Sequence, residues 1–213
     1  MKNFLLTTLA IVGMVLAFAG CTNKKTEEQK RTDEFNNALE KAEKSPVVET
    51  DLFLGFRLGM SKKQIKEFTD SLKKAGKIHI DITDTYVYDF ALSDGITIPI
   101  RFAPEYYKGK LYKVKYTIGG VLSTSDGKGE MFLIKRAFDD TEKRKSFQSY
   151  TFRGDYDKDE LKFYYIKDNM LISFWNGITE SYMSYENVPI AKQVEREQTA
   201  KDEKVLEQSK KEF

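Results

Sequence analysis

The chain has 213 residues, 35 Lys or Arg against 33 Asp or Glu, one Cys, one His, 12 Tyr and 15 Phe, for a formal net charge of +2. Balanced charge gives no global attraction to nucleic acid or an acidic membrane surface. A lone cysteine forbids an internal disulfide, and His79 is far from it in sequence, so neither a disulfide scaffold nor a Cys/His enzyme is indicated.

The N-terminus carries Lys2 and then FLLTTLAIVGMVLAFAG from Phe4 to Gly20, a charged start and an apolar run that read as a signal peptide over residues 1–20. The run is shorter than the roughly 20 apolar residues of a spanning helix. Its end, Ala19-Gly20-Cys21, resembles a bacterial lipobox, with Phe18 where that pattern usually has Leu. The resemblance implies cleavage between Gly20 and Cys21 and acylation of Cys21 with a diacylglyceryl group and a fatty acid such as palmitate. It places the protein on the cell envelope, with Thr22 rather than Asp favouring the outer over the inner membrane. The same letters allow an ordinary A-x-A cut after Ala17-Phe18-Ala19, which would release a soluble chain.

Residues 21–46 are almost wholly polar, with Phe35, Ala38, Leu39 and Ala42 as the helical-spaced apolar positions, and read as a lipid-anchored tether, partly helical at best. Residues 190–213 form a charged tail, helix-permissive but polar on nearly every face, and therefore helical and solvated or disordered. Residues 47–189 are the folded part, within the ~100–200 residues of a typical domain.

Within it, Ser61 and Gln64 form a capping box and Met60 can staple Ile65; Ile65, Phe68, Leu72 and Ala75 share a helical face, and Gly76 ends the helix. Strands follow over 85–92, 96–103 and 110–118, rich in β-branched and aromatic residues, with turns at Ser93-Asp94-Gly95 and Tyr107-Lys108-Gly109-Lys110 and a short strand over 78–82 before them. After Gly119-Gly120 and a polar stretch, a helix over about 130–143 carries Met131, Ile134 and Phe138 on one side. Strands at 147–153, 161–167, 170–175 and 178–185 complete the series, with Asp168-Asn169 and Asn176-Gly177 as two-residue hairpin signals. The order gives an α+β fold of tandem helix plus antiparallel-sheet repeats, about 52–120 and 121–189, two helices packed on antiparallel sheet.

The stretch FLGFRLGMSKKQIKEFTDSLKKAG, through Gly55, Gly59, Met60, Ser61, Gln64 and Ile65, resembles the helix opening of BamE/SmpA-type lipoproteins and of the repeats of β-lactamase-inhibitor proteins. The resemblance covers about an eighth of the chain; the second repeat, near 122–134, lacks a clear Gly-Met-Ser. It implies a binding or assembly module that engages another protein through a β-surface or loops, with no catalytic residue.

For such a surface the tyrosines and the one tryptophan are the candidates: Tyr106, Tyr107, Tyr112 and Tyr116 around one hairpin, Tyr164 and Trp175 on later strands. Most aromatics in such strands pack cores. His79 alternates with isoleucines as an exposed strand residue, without a second histidine to share a metal. Asp155, Asp157 and Asp159 have the opening spacing of a calcium loop, but Glu160 replaces its glycine and Ile166 its bidentate Glu, so no metal or other cofactor is expected. No P-loop, dinucleotide fingerprint or nucleophile elbow is present. The expectation is a lipid-anchored envelope protein with an envelope protein as partner, no nucleic acid, and an oligomeric state the sequence leaves open. The alternatives are a periplasmic ligand carrier and an envelope hydrolase using Asp155 and Asp157 as an acid/base pair.

Overall fold

The computed structural model describes residues 25–46, 48–92, 97–119, 128–141, 144, 146–154, 160–177 and 180–210. The expected signal peptide and Gly20-Cys21 cleavage boundary, the expected Ser93-Asp94-Gly95 turn and the Asp155-Asp157-Asp159 spacing lie outside the described residues. The chain divides into two compact units, residues 1–36 and 37–213.

In the first unit, residues 27–36 are the opening turns of helix α1 (Glu27–Glu43). Thr26 and Gln29 cap it reciprocally: Gln29 N donates to Thr26 Oγ1 (3.2 Å) and Thr26 N to Gln29 Oε1 (2.8 Å). This 17-residue helix lies within the stretch that the sequence reads as a partly helical tether. The T-x-x-Q cap and i,i+3 pairs such as Glu27–Lys30 (2.5 Å) supply the local stability that apolar spacing alone does not suggest.

In the second unit, helix α2 (Lys62–Lys74) starts at the expected capping box, with Gln64 N donating to Ser61 Oγ (3.3 Å) and Ser61 N to Gln64 Oε1 (2.8 Å). Its buried stripe is Ile65, Thr69 and Leu72, with Phe68 partly buried. Ala75 is instead the exposed C-cap, because Gly76 at φ +67° turns the chain out of the helix there. Thr69 tolerates burial because its hydroxyl donates to Ile65 O (2.7 Å).

Eight strands, β1 (His79–Ile80), β2 (Tyr86–Ala91), β3 (Thr97–Tyr107), β4 (Lys110–Ile118), β5 (Gln148–Arg153), β6 (Leu161–Lys167), β7 (Met170–Asn176) and β8 (Ser181–Asn187), make one antiparallel sheet in the order β1-β2-β3-β4-β8-β7-β6-β5. Helix α3 (Lys128–Asp139) precedes β5, so each helix is followed by a four-stranded meander. The meanders join through their last strands, with Val114 opposite Tyr185 and Lys115 opposite Ser184. Each meander thereby covers an edge of the other, leaving β1 and β5 at the rims.

Several sequence boundaries shift. Strand β3 runs on to Tyr107 because the Lys108-Gly109 turn, with φ +47° and +77°, matches the twist of a tight hairpin. Helix α3 ends at Asp139 rather than near 143, since Arg144 folds back to donate to Asp139 Oδ1 (3.1 Å) and Phe147 O (3.0 Å).

The core lies between α2, α3 and one face of the sheet. Phe68 of α2 meets Phe56 (5.3 Å between centroids), which meets Phe102 of β3 (5.2 Å); Phe138 of α3 meets Tyr165 (5.1 Å) and Phe174 (5.8 Å). Side chains of this size contribute about 1.5–3 kcal/mol each when fully buried. The motif around Gly55 and Gly59 explains itself here: both have positive φ, Gly59 N donates to Leu111 O and Leu111 N to Met60 O (both 2.8 Å). The loop before α2 is thus tied to the start of β4.

Helix α4 (Val188–Ser209) follows β8 directly, with Asn187 Oδ1 accepting from Ile190 N (3.1 Å) and Val188 buried. Tyr107 donates to Glu197 (2.6 Å), and Arg196 pairs with Glu43 at the C-terminal end of α1. Most of the helix beyond is exposed, including Val205 and Leu206.

Candidate binding face

Because side chains alternate along a strand, the residues between the core positions point to the face away from α2 and α3. Strand register aligns them in rows. One row crosses six strands as Arg101, Thr117, Tyr182, Trp175, Lys162 and Phe152; the next is Ala103, Lys115, Ser184, Ser173, Tyr164 and Tyr150.

The centre of these rows is aromatic and cationic. Trp175 and Tyr182 stack at 5.1 Å and 26°, the Lys115 ammonium sits 3.9 Å from the Tyr182 ring centroid, and Phe152 meets Tyr164 edge-on at 5.9 Å. The Tyr182 hydroxyl donates to Glu180 (2.7 Å); that bond, and then partial burial, raises the phenol above its ordinary value. Burial raises Tyr164 as well. In the second row Ser173 and Ser184 share a buried hydrogen bond of 2.8 Å.

The surrounding charges are mostly matched: Lys113 with Glu186 (3.2 Å), Lys162 with Glu160 (3.1 Å), Arg101 with Glu180 (3.6 Å). Arg101 Nε is buried without a partner among the described residues, and Lys115 has cation–π contact but no carboxylate among them. Towards Ile166 and Gln148, a cavity of about 520 Å³ opens between the sheet and Ala38, Ala42 and Pro46.

Of the six aromatics singled out in the sequence, Tyr164 and Trp175 lie on this face. Tyr116 is fully buried in the core, its hydroxyl donating to Phe53 O (3.2 Å), so it is not part of a surface. Tyr106 packs against the core beneath Lys62 (5.3 Å), Tyr107 turns to Glu197, and Tyr112 is buried with its hydroxyl on Glu105 (3.0 Å). They separate because a bulge sets Glu105 opposite Lys113 but Tyr106 opposite Leu111, making Tyr112 an extra residue.

Tyr182, Lys115 and Phe152 were missed. Reading Asn176-Gly177 as a two-residue hairpin pairs Trp175 with position 178, whereas the loop is Gly177 to Glu180, closed by Gly177 N to Glu180 O (2.8 Å). The true register puts Tyr182 opposite Trp175.

His79 is an exposed strand residue, 3.4 Å from Asp89. Among the described residues no three His, Cys, Asp or Glu side chains are grouped to hold a metal, and no helix is long and apolar enough to cross a membrane. Comparison with protein-family models, curated proteins and solved structures finds no match to this chain.

Proposed function

We propose that this protein is a non-catalytic binding module, held at a bacterial envelope by lipid on Cys21, that engages another protein through the sheet face centred on Trp175 and Tyr182. The observation that carries the reading is that half-exposed stacked pair with Lys115 lying on it. Interface centres are enriched in Trp and Tyr, which supply rigid apolar contact at low entropy cost. The partner is a folded protein presenting an apolar patch with an acidic group beside it. That group would meet Lys115, while the matched Lys–Glu and Arg–Glu pairs form the rim. The helix-then-meander order is compatible with the BamE/SmpA-like resemblance, which supports the reading at the level of fold.

Photo-cross-linkers placed at Lys115 and Tyr164, and for comparison at Lys63 and Glu67 on the outer side of α2, test the face in native envelopes. Adducts from the sheet positions, lost with Trp175→Ala, are expected; adducts only from α2, or sheet adducts indifferent to Trp175→Ala, would refute it. The anchor is tested separately, since Cys21→Ala should move the protein from the membrane to the soluble fraction.

A further inference from the structure

On the other side of the sheet, between α3 and the rim strand β5, a cavity of about 340 Å³ is lined by Lys135, Asp139, Arg144, Ser149, Thr151 and Tyr165, together with Tyr150 and Phe163. Its volume is at the small end of ligand pockets. Its charges and hydrogen-bond capacity do not balance. Among the described residues Asp139 is the only carboxylate in the lining, and it is already engaged by three donors: Oδ2 accepts from Lys135 Nζ (2.5 Å), and Oδ1 from Arg144 Nε (3.1 Å) and the Tyr165 hydroxyl (2.9 Å). Two cations against one anion leave these described side chains with a net +1.

The unused capacity of the two cations is all of one kind. Arg144 spends one Nη1 hydrogen on Phe147 O (3.0 Å) and its Nε hydrogen on Asp139, and a guanidinium has five N–H donors in all. Lys135 has three and spends one on Asp139. Both side chains are largely withdrawn from water, 18% and 21% exposed, so an uncompensated charge here is more costly than at the surface. Arg144 is also held in place, its guanidinium 4.5 Å from the Tyr165 ring centroid, and Lys135 lies 4.5 Å from that of Phe163.

We infer that this cavity binds a phosphate-type oxyanion. Donors arrive from three separate places: Lys135 on α3, Arg144 before β5, and Ser149 on the wall formed by β5. Such convergence suits a tetrahedral anion with several acceptor oxygens better than a planar carboxylate met by one fork. The phosphate belongs to a free phosphomonoester or to a lipid headgroup of the same chemistry. The site is independent of the opposite sheet face and of the function proposed for it.

The test uses the intact Cys21→Ala chain, so that no attached lipid contributes. Titration with inorganic phosphate is followed calorimetrically and by amide shifts, and co-sedimentation is measured with phosphatidylcholine vesicles with and without phosphatidic acid. Saturable phosphate binding that perturbs Ser149 and Thr151, weakened about tenfold by Arg144→Gln or Lys135→Met and tightened by Asp139→Asn, is the expected result. Sedimentation that requires phosphatidic acid and is competed by phosphate assigns the lipid source; phosphate binding without it assigns the free ligand. Absence of saturable binding in both arms overturns the inference. So does binding that Arg144→Gln and Lys135→Met leave unchanged while thermal melts show both variants folded.

Discussion

Trp175 and Tyr182 lie opposite each other on β7 and β8 with their rings stacked 5.1 Å apart, and the Lys115 ammonium is 3.9 Å from the Tyr182 centroid. The three side chains come from three adjacent strands, so the group exists only when the two meanders are joined. Trp175 is the chain's one tryptophan and reports on the group directly. Tyr182→Ala should shift its emission to the red. In a cycle with Trp175→Ala, measured by urea denaturation, the pair should show a coupling of about 0.5–1.5 kcal/mol.

In the row beside that pair, Ser173 and Ser184 are buried and bonded to each other at 2.8 Å. Changing one to alanine leaves the other's hydroxyl with its buried partner gone, at a cost of about 1–3 kcal/mol. Changing both removes both polar groups. The double variant should therefore be no less stable than either single one, and a simple sum of the two losses would show that the hydroxyls act separately.

The loop before α2 allows two glycines to be separated by cause. Gly59 has φ +84° and open space where a Cβ would go, so Gly59→Ala should cost only the left-handed backbone penalty, about 1–2 kcal/mol. Gly55 has φ +85° and the Phe68 ring 3.3 Å from a Cβ, so Gly55→Ala adds a displacement of Phe68 and should destabilise more. Adding Phe68→Leu should recover part of the Gly55→Ala loss and none of the Gly59→Ala loss, as read from thermal melts.

What the sequence disclosed follows from the range of the forces involved. Ser61, Gln64 and Gly76 act within one helix, and that helix appears with its cap and stop where their spacing puts them. Period-two alternation likewise exposes most strands. The candidate face depended on register, which a single loop misread: Asn176-Gly177 looks like a tight turn, but the loop to Glu180 moves Tyr182, not residue 178, opposite Trp175. The bulge at Tyr112 had no local mark, so four neighbouring tyrosines that look like one cluster go to different surroundings. The anion cavity was equally hidden, because Lys135 and Arg144 meet only through the early end of α3.

The Asp139 cluster predicts an acid-side response. Burial pushes the Asp139 carboxyl up, but hydrogen bonds from Lys135 and Tyr165, with Arg144 adding, outweigh it and hold the group below its ordinary range. A carboxyl depressed by folding contributes stability above its unfolded value, near 4, and that contribution is lost as pH falls through the lower folded value. Urea midpoints of the parent chain should therefore fall more steeply below pH 4 than those of Asp139→Asn. Parallel curves for the two chains would show that Asp139 is not coupled to folding.

The opposite end of the pH scale tests the core. Tyr116 is driven well above its ordinary value by burial, with neighbouring Tyr185 adding to it, and Tyr185 is itself raised by burial. Tyr112 is pushed up to about 12 by burial and by its hydrogen bond to Glu105. In each case the folded state favours the neutral phenol, so the native chain holds protons that the unfolded chain releases near pH 10. Their contribution is complete below pH 10 and drains away as pH rises towards the folded values. Urea midpoints should thus stay level across that boundary's neutral side and drop above it, with tyrosinate absorbance appearing together with unfolding for the buried group. Tyr116→Phe should lower stability at pH 8 by about 1 kcal/mol, through the lost bond to Phe53 O, yet narrow the gap to the parent chain as pH climbs past 10. A gap that stays constant from pH 8 to 11.5 would show that Tyr116 ionises as freely in the folded protein as in the unfolded one, against its complete burial.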